Sequence, residues 1–260
     1  MPSNSRAFHG GTVTFVCTDI EGSTKLLERL GDRYAETLAE HRRIIRDAFG
    51  ARGGRELDTQ GDSFFYAFER ARDAVAAAVA AQRSLATHGW PDGEEVRVRM
   101  SVHTGEPVVG EEGYVGIDVH RAARICSAGH GGQVLLSAAT AALVSSALPD
   151  GVTQVPLGDL RLKDLAAPEH VVQLEIDGLP SSFPPLRAGE DEPMDFGARL
   201  ARQIQADVER QIELSFSGEP TERAIGGARK QRQLIVTGPF ALLSLAVAIL
   251  VIVLLVRLAL

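Results

Sequence analysis

From Val13 the chain alternates: Val13, Phe15 and Cys17 lie on one side, Thr14, Val16 and Thr18 on the other. This is a strand pattern in residues that favour strands. It gives out at Asp19, Glu21-Gly22-Ser23-Thr24 read as a turn, and helical periodicity follows over Lys25–Leu30 and Tyr34–Phe49. In the second of these, Leu38, Ile45 and Phe49, joined by Ile44, form an apolar stripe. Arg55–Thr59 and Phe64–Phe68 are strand-like runs around Gly61-Asp62, which predicts a hairpin in the middle of the sheet with Asp62 at its tip. An Ala-rich helix over Ala71–Leu85 precedes a half-buried strand over Val96–Thr104, and a short strand is expected at Pro107–Val109. Ile117–Ser127 reads as a helix entered at Gly116. Then come a strand at Val134–Leu136, a short helix at Ala138–Val144, strand segments at Val152–Val155 and Leu160–Leu162, and a closing strand at Val171–Ile176. The expected fold is α+β, a mixed sheet with packed helices, in one domain over residues 11–177 behind a short tail at 1–10.

The remainder is patterned differently. Residues 178–195 carry several prolines and the acidic run Glu190-Asp191-Glu192, and read as a linker. Phe196, Leu200, Ile204, Val208, Ile212 and Phe216 recur every fourth residue, predicting an amphipathic helix over 196–217 whose stripe drifts round its axis. That helix either pairs with a second copy or lies against the domain or a membrane. A basic stretch, 218–233, holds Arg229, Lys230 and Arg232. From Leu234 to Val256 no charge appears, a run of about 23 residues and long enough for a bilayer. The flanking cations predict a single-pass C-terminal anchor in the cell membrane with the preceding domain on the cytoplasmic side.

Composition narrows the chemistry. A formal net charge of −7 argues against general nucleic-acid binding, which needs a basic face. Cys17 and Cys126 belong to no CxxC, so neither a disulfide framework nor a zinc site is expected. The first residues lack an apolar core of the signal-peptide kind. No GxGxxG or GxxxxGKS motif supports a dinucleotide or P-loop site.

Asp19 at a strand end is by itself either a turn residue or a ligand for a hard cation. If the Asp62 hairpin lies beside the first strand, the two carboxylates meet at one sheet end. Two such groups can hold two Mg²⁺ or Mn²⁺ ions that activate a hydroxyl and steady a leaving phosphate. Arg121 and Arg124, one turn apart, are candidate cations for the charge that spreads in phosphoryl transfer.

Phe15-x-x-x-Asp19-Ile20-x-Gly22-Ser23-Thr24, then Gly61-Asp62, then Gly116-x-x-Val119-x-x-Ala122-x-Arg124 resemble, in order and spacing, the class III nucleotidyl cyclase catalytic domain. The resemblance covers residues 12–176 and implies a ferredoxin-like, palm-type sheet. It also implies a head-to-tail homodimer with shared active sites, and conversion of ATP or GTP to the 3′,5′-cyclic nucleotide and pyrophosphate. On that resemblance Asp19 and Asp62 are metal ligands, Ile20 lends a carbonyl, and Phe15, Glu21, Gly22, Ser23 and Thr24 shape the triphosphate loop. Gly61 accompanies Asp62, and Arg124 stabilises the transition state. His120 stands where the family has Asn, as a donor to ribose or phosphate or as a surface residue. Lys163 lies near the family's phosphate-binding lysine, and also reads as a solvated side chain.

Base selection departs from the family pattern. Asp58 stands where adenylate cyclases carry Lys, and Gly113 where they carry Asp or Thr. An ionised Asp58 only accepts, which suits guanine, while Gly113 offers neither base a side-chain partner. A purely structural Asp58 would pair with Arg55 or Arg99. Three readings follow: an active cyclase; a degenerate cyclase fold that binds nucleotide or partner domains at a membrane; and, ranked last because no GGDEF-type hairpin is present, a polymerase-palm-like or diguanylate cyclase-like enzyme.

Overall fold

The computed structural model describes residues 10–110 and 113–187. The predicted helix at 196–217, the basic stretch and the apolar span lie outside those residues. None of the described helices is long and apolar enough to cross a membrane.

In chain order the elements are β1 (Val13–Ile20), α1 (Ser23–Leu30), α2 (Tyr34–Gly50), β2 (Arg55–Gln60), β3 (Ser63–Phe68), α3 (Ala71–Thr87) and β4 (Val98–Gly105). They continue as β5 (Val108–Val109), β6 (Tyr114–Val115), α4 (Ile117–Ala128), β7 (Val134–Ser137), α5 (Ala138–Val144), β8 (Val152–Leu160) and β9 (Glu169–Ile176). Seven strands form one sheet in the order β2-β3-β1-β4-β7-β9-β8, and β5 and β6 make a separate hairpin. Among the described residues only the β4–β7 pair is parallel.

The burial of β1 on both faces dictates its composition. Val16 and Ile20 enter the larger core with Ile44, Ile45 and Phe49 of α2 and the alanines of α3. Val13, Phe15 and Cys17 face the opposite way, onto Val119, Ala122 and Cys126 of α4. Ala74, Ala77, Ala78 and Ala81 are fully buried, so α3 presents small side chains where it meets the sheet and α2. The helix α4 is also tied by hydrogen bonds: Ser101 Oγ donates to the Ala122 carbonyl at 2.7 Å, and the Cys126 thiol donates to the Cys17 carbonyl at 3.4 Å.

Three expectations are corrected. The two segments expected around residues 152–162 are one strand, β8, with a register shift between Pro156 and Gly158. Proline is tolerated there because β8 is an edge strand and the bulge absorbs its missing donor. The 61–62 hairpin is not central: β2 is the other edge, and only β3 reaches inward to β1. The first helix begins at Ser23, two residues earlier than its amphipathic periodicity suggested.

His41 of α2 is fully buried beside Phe64, with ring centroids 5.8 Å apart, and neither ring nitrogen has a hydrogen-bond partner among the described residues. Burial, then the Arg42 charge, lower its pKa to about 3. The unfolded chain therefore takes up a proton near the ordinary imidazole value while the fold does not. Stability is fully present above pH 6.5 and is lost as pH falls toward 3. His41→Leu is expected to flatten this dependence: in denaturant melts at pH 5 and pH 7.5, the acid loss should shrink by about 2 kcal/mol relative to the parent.

Candidate active site

The pairing of β1 sets the site. Against β4 the register places Asp19 opposite Arg99 and Ile20 opposite Val98, and against β3 Thr18 faces Phe64. The residues just beyond that last pair, Asp19 and Ile20 on one strand and Ser63 and Asp62 on the other, therefore meet at one end of the sheet. Ser63 Oγ donates to Asp19 Oδ1 at 2.6 Å, and the Ile20 amide donates to Asp62 Oδ2 at 3.1 Å. Arg99 donates twice to Asp19 Oδ2, from Nε at 3.0 Å and Nη2 at 2.6 Å. This ion pair is almost wholly buried, with side-chain exposures of 7% for Arg99 and 13% for Asp19.

Asp62 is the uncompensated charge. Burial, then the neighbouring Asp19 carboxylate, push its pKa up to about 6, against the opposing effect of hydrogen bonds from Ser23 and the backbone. A buried and a half-buried carboxylate, oxygen donors alone, fit a hard divalent cation, which would relieve the charge that now raises Asp62. No cluster of three or more His, Cys, Asp or Glu side chains able to hold a metal occurs among the described residues. The other ligand positions of a bound Mg²⁺ or Mn²⁺ would thus fall to the Ile20 carbonyl, substrate oxygens and water.

The turn after Asp19 is built for close approach. Gly22 adopts φ 67°, ψ 34°, a left-handed conformation that a side chain would strain, and its carbonyl accepts from the Leu26 amide to start α1. Ser23 and Thr24 form the first turn of α1, which carries no acidic residue, so its free amides favour an anion. Gly61 is likewise left-handed at φ 58°, and its carbonyl accepts from Arg42 Nη2 at 2.5 Å. Glu21 turns aside: Oε2 accepts from Arg97 Nη2 and Oε1 from Arg187 Nη2, each at 2.5 Å. Burial raises its pKa, but the two arginine hydrogen bonds outweigh this and bring it to about 2.

Phe15 lies four residues up the strand, fully buried, stacked on Phe65 at 5.1 Å and edge-on to Tyr114 at 5.5 Å. Its part in the loop is support of β1 from the core. Arg124, on α4, pairs with Asp164 Oδ2 at 2.5 Å, one residue past the exposed Lys163. Arg121, the alternative cation, is held by Asp118 at 2.9 Å and Glu169 at 3.1 Å. Burial, then the Arg124 charge, hold half-buried His120 below the usual imidazole range, so it is neutral near pH 7. Asp58, on edge strand β2, accepts from the Thr59 amide at 2.8 Å and Gln60 Nε2 at 3.1 Å. Arg99, one of its two expected partners, goes to Asp19 instead. The Gly113 carbonyl accepts from the Gly110 amide at 2.7 Å.

Arg99, Ser63, Arg97 and Arg187 were missed by sequence reasoning. Arg99 sat on the polar side of an alternating strand, and only the strand register reveals its partner.

A family model for the adenylate and guanylate cyclase catalytic domain matches residues 7–173. The chain belongs to that family, and it is an enzyme of the adenylate/guanylate cyclase class. An uncharacterized protein of Mycobacterium tuberculosis is 38% identical over 208 residues, covering 79% of this chain and 69% of that protein. A receptor-type adenylate cyclase of Trypanosoma equiperdum is 29% identical over 62% of this chain and 44% of its own length. Among solved structures, an adenylate cyclase of Trypanosoma brucei in its monomeric state superposes with a TM-score of 0.61 at 26% identity, over 73% of this chain and 98% of that one.

The raised Asp62 has a measurable consequence for this cyclase domain. A carboxyl raised above its unfolded value favours the fold while protonated, so metal-free stability falls as pH rises through about 6. Asp62→Asn should therefore stabilise the metal-free protein at pH 8 by roughly 1–2 kcal/mol, allowing for solvent screening. The same change should abolish any rise in melting temperature on adding Mn²⁺. In the parent, that rise should be large at pH 8 and small at pH 5, where protons compete for Asp62.

Proposed function

We propose that this cyclase converts ATP or GTP to the 3′,5′-cyclic nucleotide and pyrophosphate, using Mg²⁺ or Mn²⁺ bound by Asp19 and Asp62. The observation that carries this is the register that brings both carboxylates and Arg99 to one sheet end, beside the Gly22 turn and the start of α1. In the reaction, the ribose 3′-oxygen forms a bond to the α-phosphorus, the bond from that phosphorus to the oxygen of pyrophosphate breaks, and the hydroxyl proton is lost. Bound divalent cations would supply activation of that hydroxyl and charge neutralisation on the phosphates.

The chain's own part is positioning and electrostatics. The free amides of the first turn of α1 receive phosphate oxygens, while Arg99, buried against Asp19, fixes that carboxylate in place. Arg124 supplies positive charge to the transition state. Its pairing with Asp164, rather than with Asp19 or Asp62, accords with a head-to-tail homodimer in which each Arg124 serves the other chain's carboxylates. Neutral His120 keeps one N–H to donate to ribose or phosphate. Asp58 supplies acceptors only and Gly113 no side chain where the family selects its base, a combination that favours guanine without firmly excluding adenine. The uncharged run at 234–256 and its cationic flank support attachment to the cell membrane with the catalytic domain on the cytoplasmic side.

A degenerate cyclase fold is the second reading, motivated by Asp58, Gly113 and His120, where the family pattern is not kept. One assay separates the two. Purified protein incubated with ATP or GTP and Mn²⁺ should yield cyclic nucleotide, with none detectable for Asp62→Ala and a loss of about 10²–10³-fold for Arg124→Ala. Mixing those two inactive variants should restore activity through the one intact site of a mixed dimer. Nucleotide binding without pyrophosphate release in the parent would establish the degenerate reading.

A further inference from the structure

After β9 the chain turns back across the molecule, and residues 181–187 lie along it as a strap. The Ser181 carbonyl accepts from Gln173 Nε2 at 2.7 Å, and the Pro185 carbonyl lies 3.1 Å from His130 Nε2. Leu186 packs on the cluster of Ile125, Ala128, Leu135, Leu162 and Val171, beneath the end of α4. Arg187 then makes contacts that join two parts of the candidate site. Its amide donates to the Ala128 carbonyl at 3.0 Å and its Nη1 to the Gly129 carbonyl at 3.2 Å, which places a cation on the C-terminal end of α4. Its Nη2 donates to Glu21 Oε1 at 2.5 Å.

Glu21 is held from the other side as well. Its amide donates to the Arg97 carbonyl at 2.9 Å, and its second carboxylate oxygen accepts from the Arg97 side chain. Gly131 allows this approach: a Cβ there would come within 2.6 Å of Arg97 Cβ and 2.9 Å of Glu21 Oε2. The turn between Ile20 and Gly22 is thus clamped by two arginines. One comes from the chain entering β4, the other from outside the sheet, at the end of the strap.

We propose that Arg187 is a positioning residue for the cyclase site. It joins the Asp19–Thr24 turn to the end of α4, the helix that carries His120 and Arg124, and so holds that turn in the geometry that receives metal and triphosphate. This rests on the reading of that turn as the metal- and phosphate-binding loop. Arg187 acts on the turn through Glu21. Losing it leaves the half-buried Glu21 carboxylate with one arginine instead of two and frees the residue that follows Ile20.

The test uses the full chain with Arg187→Ala, Arg187→Lys and Glu21→Gln, and with Arg29→Ala, which breaks the exposed Arg29–Glu94 pair, as a control. Two readouts are taken: the Mn²⁺ concentration that gives half the maximal rise in melting temperature, and KM and kcat for the nucleotide. Arg187→Ala should raise the Mn²⁺ midpoint about 10-fold or more, with a comparable rise in KM and a smaller change in kcat, as for other groups that orient a ligand from behind. Lysine should restore only part, because one ammonium cannot reproduce the guanidinium fork toward Gly129 and Glu21. Glu21→Gln, nearly isosteric, should move both readouts in the same direction and add little to Arg187→Ala in the double variant. It carries the test should Arg187→Ala lower the metal-free melting temperature. A parent that responds to Mn²⁺, with Arg187→Ala and Glu21→Gln both matching it and the Arg29→Ala control, overturns the positioning role alone. A parent showing neither a Mn²⁺ shift nor cyclic product overturns the loop reading and the proposal with it.

Discussion

The buried pair of Asp19 and Arg99 is the constraint on which the site depends. A carboxylate at the end of a strand buried on both faces is costly unless a partner meets it, and here the partner stands directly across the β1–β4 ladder. A shift of one residue in that register would move Arg99 to the opposite face and leave both charges uncompensated. The pair thus ties register to chemistry: the arrangement that lets β1 be buried also aligns Ile20 with the Asp62 turn.

The pair also divides labour between the carboxylates. Asp19 is already matched by Arg99 and Ser63, whereas Asp62 has backbone and hydroxyl donors but no cationic partner among the described residues. The site therefore carries an excess of negative charge at Asp62, and a divalent ion with its phosphates is the natural complement. Around this centre, support comes from behind. Phe15 and Cys17 seat α4 on the sheet, and Arg97 and Arg187 brace the Glu21 turn. That framework fixes where the two carboxylates stand.

Much of the plan was legible in the chain itself. The alternation at Val13–Thr18, the turn at Gly22 and the Gly61-Asp62 hairpin each follow from local preferences that the structure retains. Asp19, Asp62 and Arg124 stood out because a strand end, a hairpin tip and a helix with a cyclase-like spacing are sequence-local features. The errors fell where a neighbour decided the outcome. The stretch 152–162 read as two strand segments until an edge position and a bulge at Pro156 joined them in β8, and Arg99 read as a partner of Asp58 until Asp19 proved to be opposite it.

What the sequence by itself determined is the set of elements, the presence of carboxylates at two turns, and the family whose motifs they form. These rest on interactions within a few residues, where pattern and conformational preference suffice. Only the tertiary structure decided which strands adjoin, that Asp62 and not Asp19 holds the unmatched charge, and that Arg187 reaches Glu21 across 166 positions of chain. Such contacts are fixed by the packing of β1 between β3 and β4 and of α4 over their face. No local propensity encodes them, because each depends on burial that exists only once the sheet is assembled.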